Sequence, residues 1–270
     1  MRARKPDFDF SNTPAIWAQN PEFALFWNAA STPFPYLERF LNKAMAKAAT
    51  KLSGEDEASR KLRGDIRTFI RQESNHYTTH ERFNAIMKRD GFDIAPLEVE
   101  IEQEYERLWQ TKSFAFCLAY CEGFETLGPP SAHSMLDNME QHFDRADPEA
   151  VAMWKWHLME EFEHRTVCYD VYHHFHGGYF LRVYGFFYQA WHLGGMIKKV
   201  RNFLLAQYRQ NMSGEELAES ERRLKLATGA MGKGMLGKLI KVLSPRYSPH
   251  GYEEPRNYRA FMDKIEQRVI

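Results

Sequence analysis

Two stretches, far apart in the chain, carry the same pair of metal-binding side chains at the same spacing. Glu73 and His76 stand in FIRQESNHYTTHERFN, and Glu161 and His164 in WKWHLMEEFEHRTVCYDVY. Both runs have helical character, and an i, i+3 spacing puts carboxylate and imidazole on one helix face, less than a turn apart. Two such helices facing each other, with one Glu from each of two more, make the di-metal carboxylate site of a four-helix bundle. Measured from Glu73, His76 lies ~60° round the helix axis and His80 ~20° round it on the same side. Phe69, Ile70 and Phe83 flank them, so this face is expected to point inward. In the later run His157, Glu161 and His164 fall within an arc of ~60°, with Glu160 a rival to Glu161. A Glu and two His on an inward face are costly unless their charge is compensated, and a divalent metal does that.

The remaining carboxylates must come from two other helices. Glu38, in FPYLERF, is the only acid of its helix, and Glu122 lies in the apolar stretch AFCLAYCEGFETL with Glu125 as its competitor. Four carboxylates balance two divalent ions, and neutral imidazoles complete the coordination without adding charge. Oxygen and imidazole ligands without thiolates favour iron, with manganese or zinc as alternatives. Glu163 is turned away from this face, and His173, His174 and His176 occupy a last helical turn where imidazoles meet the helix dipole.

The elements that must position these groups are all helical, since no strand alternation of useful length occurs. Pro33 and Pro35 open a helix to about Thr50, and a second, with a Ser-x-x-acid start at Ser53, runs to about Arg89. A third region extends from Pro96 to Leu127, closed by Gly128-Pro129-Pro130, with residues 97–107 read as crossover. A short helix is expected over 132–143. Asp147-Pro148 caps a fourth helix running to about His176. An aromatic helix from Tyr179 toward Tyr208, one opened by a Ser213–Glu216 capping box, and a basic amphipathic segment follow. This divides the 270 residues into an N-terminal aromatic arm (1–32), a bundle (33–178) and a C-terminal helical extension (179–270). Lys and Arg balance Asp and Glu at 36 each, so nothing drives the chain toward nucleic acid. Three cysteines do not make a disulfide framework. The N-terminus lacks the apolar run of a secretory leader, and the most apolar stretch, Phe180–Ile197, is interrupted by Arg182, Gln189 and His192, so a cytoplasmic protein is expected.

The motifs FPYLERF, FIRQESNHYTTHERFN, AYCEGFET and WHLMEEFEHRTVCYDVY resemble a bacterial family known as predicted metal-dependent hydrolases, similar in ligand pattern to ferritin-like di-iron carboxylate proteins. The resemblance covers roughly residues 34–172. It implies a ferritin-like four-helix bundle with two metal ions held by Glu38, Glu73, His76, Glu122, Glu161 and His164. His80 and His157 match further His positions, implying extra ligands or supports behind them. Gly123 departs from the pattern, standing where the family carries His. The expected function is a di-iron oxidoreductase that activates dioxygen, with an electron donor, to oxidise a small apolar substrate. The alternative is a hydrolase with a manganese- or zinc-activated water, and third comes a non-enzymatic metal-binding or oxidant-scavenging protein. Aromatic residues with Lys233, Lys238 and Lys241 in 179–243 suit either peripheral membrane contact or a cover over the bundle or a homodimer interface.

Overall fold

Helices begin in this chain where short polar side chains or prolines can satisfy or tolerate a first turn. The computed structural model describes residues 1–138, 140–232 and 235–269. Among these the chain is all-α, with α1 (Pro21–Ser31), α2 (Phe34–Lys51), α3 (Glu57–Arg89), α4 (Ala95–Thr111), α5 (Phe114–Glu125) and α6 (Gly128–Asn138). After these come α7 (Pro148–His164), α8 (Val167–Phe175), α9 (Tyr179–Arg209), α10 (Gly214–Gly232), α11 (Met235–Val242) and α12 (Tyr258–Glu266). Asp56, Ser113 and Asp147 accept amide hydrogens at the starts of α3, α5 and α7, each satisfying a donor the helix cannot. The Ser213–Glu216 capping box forms in both directions.

Four expectations about boundaries change. The cap of α3 is Asp56 rather than Ser53, because the Asp56 carboxylate accepts from Ser59 N. The region expected to be one helix from Pro96 to Leu127 is two, parted where Ser113 turns extended and caps α5, and the expected crossover is itself the helix α4. Gly128-Pro129-Pro130 opens α6 instead of ending α5, as prolines are tolerated in a first turn. The fourth helix breaks at Arg165–Thr166 into α7 and α8.

The core runs through every part of the chain. Phe8 packs tilted against Trp156, and Phe10 and Trp27 meet Phe83 and Trp154 edge-on, with ring centroids 5.6, 5.5 and 4.5 Å apart, so the N-terminal segment is built into α3 and α7. Helix α9 lies against α5 at backbone contact. A Cβ on Gly185 would meet Ala119 O at 2.6 Å, and one on Gly123 would meet Phe186 Cα at 2.8 Å. A side chain at position 123 therefore has no room.

Arg182 and Gln189 face inward from α9, whereas Phe180, Tyr184, Phe187 and Trp191 are exposed. No described helix is long and apolar enough to cross a membrane. Of the lysines noted near the C-terminus, Lys233 lies outside the described residues, as does the side chain of Lys238. The cysteines are free and buried.

Candidate metal centre

Helix α2 brings Glu38, α3 brings Glu73 and His76, α5 brings Glu125, and α7 brings His157, Glu161 and His164, all of them buried. The donor atoms of Glu38, His76, His157 and Glu161 lie within 4.8 Å of one another, as do those of Glu73, Glu125, Glu161 and His164. Glu161 belongs to both groups. One of its oxygens lies 3.4 Å from His157 Nε2 and the other 3.3 Å from His164 Nε2. His164 Nε2 is also 3.1 Å from Glu73 and 3.2 Å from Glu125, while His76 Nδ1 is 3.7 Å from both Glu73 and Glu161.

Whether these groups suit metal ions can be judged from their unmet hydrogen-bonding capacity. Both oxygens of Glu38, Glu73 and Glu125, Glu161 Oε1 and His76 Nδ1 are buried with no hydrogen-bond partner. Orphaned carboxylates in a dry core are expensive, and so many converging on two points is what two cations would satisfy. The donor set, oxygen and imidazole without thiolate, suits divalent first-row metals.

The electrostatics agree. Burial, then the neighbouring carboxylates, push Glu38 and Glu73 well above the usual range. Burial raises Glu125 to about 7, against the pull of His164. Burial also opposes the charges on Glu161 and His164, but each holds the other's charge. Glu161 comes down to about 2 through His164, His157 and His76, and His164 goes well above its ordinary value through Glu125, Glu161 and Glu73. Burial lowers His76 and His157 to about 3, leaving both neutral with a lone pair to offer. Without cations the cluster keeps protons in their place.

Each imidazole is aimed by a partner on its far side. His157 Nδ1 meets His80 Nε2 at 3.1 Å, His80 Nδ1 meets Ser31 Oγ at 2.8 Å, and Ser31 donates to Asn84 Oδ1 at 2.6 Å. Read as one directed chain, this makes His157 donate from Nδ1 and leaves Nε2 free for the cluster. His80 thus stands behind His157, outside both groups. Glu160 meets His76 Nε2 at 3.2 Å, and Gln72 Oε1 meets His164 Nδ1 at 3.3 Å.

Of the donors named from sequence, Glu38, Glu73, His76, His157, Glu161 and His164 come together. Glu122 does not. It is buried one turn away, accepting from Thr126 at 3.3 Å and lying 3.7 Å from Arg182, and its competitor Glu125 takes the place expected of it. The two acids share a face of α5, so spacing alone cannot separate them. The signal was Arg182 in an apolar run of α9, a buried cation in need of an anion. Gln72, with no charge to mark it, gave no sequence signal.

The family described as "Predicted metal-dependent hydrolase" matches residues 2–253, extending on both sides of the motifs that carry the resemblance. No curated protein and no solved structure matches the chain significantly.

Proposed function

We propose, from the premise that the chain belongs to the predicted metal-dependent hydrolase family, that it is a dinuclear hydrolase of a small ester or phosphoester. The observation that carries this is one carboxylate, Glu161, shared by two buried donor groups. Two divalent ions held there would supply Lewis acidity toward the bond to be cut and a lowered pKa for water.

The chain's own residues do the rest. Glu38 and the neutral His76 and His157 would hold one ion and Glu73, Glu125 and His164 the other, with Glu161 belonging to both donor groups. The aromatic walls formed by Trp154, Trp156, Phe34 and Phe69 against the imidazoles keep bulk water out.

A second reading, dioxygen activation at two irons, draws on the donor composition of four carboxylates to three imidazoles. One experiment separates the two. The metal-free protein is loaded anaerobically with Fe(II), Mn(II) or Zn(II), tested on p-nitrophenyl esters and phosphoesters, and then exposed to oxygen. Turnover with Mn or Zn that disappears in Glu161→Ala is the expected result. A near-ultraviolet band on admitting oxygen to the iron form, without hydrolysis by any form, would favour the oxidase reading. Absence of stoichiometric binding of any of the three metals would refute both.

A further inference from the structure

Behind the two donor groups, the supports of His76 and His164 meet at a single residue from the beginning of the chain. Arg4 is only 7% exposed. Its Nη1 lies 3.3 Å from Glu160 and 3.0 Å from Glu163, and its backbone N–H also donates to Glu160 at 3.3 Å.

Each carboxylate passes the contact on. Glu160 Oε2 faces His76 Nε2 at 3.2 Å, and when ionised it accepts that hydrogen and leaves His76 Nδ1 toward Glu73 and Glu161. Glu163 accepts from Gln72 Nε2 at 2.9 Å, and Gln72 Oε1 accepts from His164 Nδ1, leaving Nε2 toward Glu73, Glu125 and Glu161. The directions of these bonds are mutually consistent from the guanidinium to both imidazoles. Asn75 donates to Arg4 O at 2.8 Å, Gln72 to Arg2 O at 3.3 Å, and Asp7 N to Arg268 O at 3.0 Å. Tyr258 and Glu266 of α12 complete the frame around Glu163 and Arg4. The first residues thus form a strap between α3, α7 and the C-terminal end of the chain.

We propose that Arg4 is a positioning residue common to both metal sites. It fixes Glu160 and Glu163, and through them the orientation of His76 in one donor group and His164 in the other. The inference rests on the dinuclear reading above. Its reciprocal is that metal binding tightens the strap, since a coupling between two events acts equally in both directions. A purely structural arginine would hold the strap down equally well with or without metal.

The test measures metal affinity by competition with a chromogenic chelator, and hydrogen exchange of residues 1–10 with and without Mn(II). In the native chain two ions bind and the exchange of 1–10 slows on loading. Arg4→Ala is expected to weaken both ions by about tenfold to a hundredfold, the usual effect of removing a support behind a ligand, and to abolish the metal-dependent slowing. Arg4→Lys keeps the charge without the fork and should fall between. Gln72→Leu removes one strap contact, to Arg2 O, but leaves Arg4 and Glu160 in place and should weaken chiefly the ion beside His164, which keeps the idea testable if Arg4→Ala folds poorly. Lys5→Ala, at an exposed neighbour, should change nothing. Native affinities for both ions in Arg4→Ala, or exchange of 1–10 that ignores metal in the native chain, would overturn the inference with the dinuclear reading intact. A native chain that binds no metal would overturn both.

Discussion

At the scale of single residues, the site is a competition between protons and cations for the same buried oxygens. Burial and the neighbouring carboxylates raise Glu38 and Glu73 well above the usual carboxylate range, burial raises Glu125 to about 7, and the surrounding carboxylates raise His164, so the metal-free cluster favours protons where cations would sit. Loading two ions should therefore release protons, measurable by calorimetry in buffers of different ionisation enthalpy, and affinity should rise as pH passes the value of about 7 of Glu125. The same shifts set the stability of the metal-free chain. Glu122 and Glu125, raised to about 7, and Glu160, raised to about 8, contribute stability below their ordinary value of 4.5 and lose it as pH rises through the raised one. His164 is a base with a raised value, so its contribution is present below 6.5 and is also lost on the way up. His76 and His157, lowered to about 3, work in the opposite sense, but only below 6.5. Between pH 6.5 and 8 the first set acts alone, and the melting temperature of chelator-treated protein should fall. Metal loading removes the parts of Glu38, Glu73, Glu125 and His164 and should flatten that slope.

At the scale of elements, the α5–α9 contact decides which acid faces the centre. The close backbone approach at Gly123 and Gly185 brings Arg182 beside Glu122 and leaves Glu125 for the cluster. Gly185→Ala would force a Cβ onto Ala119 and is expected to cost about 1–3 kcal/mol, with weakened metal binding because α5 must move. Thermal melts and metal titration of the variant check this. The Glu122–Arg182 pair is testable by a double-mutant cycle. Arg182→Met alone strands a buried carboxyl and should cost about 3 kcal/mol, whereas adding Glu122→Gln should recover much of the loss. If the single and double variants melt alike, the pair is not what keeps Glu122 out of the metal centre.

At the scale of the whole molecule, donors from α2, α3, α5 and α7 close around one place, so ions binding there tie together helices spread over much of the chain. Ions that bind the folded chain alone should stabilise it by about 4 kcal/mol at a thousandfold excess over Kd. The expected result is a melting temperature that climbs with Mn(II) in the native chain and does not in Glu161→Ala. The beginning and end of the chain meet behind the centre, where Pro6 bridges to Val269 and Arg268 pairs with Glu149. The N-terminal segment is thus part of the frame of the site.

The sequence by itself determined the helical class, the caps at Asp147 and Ser213, and the faces of α3 and α7 that carry His76, His157, Glu161 and His164. Those are local properties, read from a 3.6-residue period and from short side chains that satisfy helix ends. Only the tertiary structure chose between acids that share a face. It set Glu125 at the centre and Glu122 on Arg182, put Glu160 behind His76, and moved His80 behind His157. It also decided which side of α9 meets the core, burying Arg182 and Gln189 and leaving Phe180, Tyr184, Phe187 and Trp191 outside. The physical reason is the same throughout. Helical periodicity states which side chains share a face, but a buried charge is settled by the partner it meets, and here that partner lies on another helix, dozens of residues away in the chain.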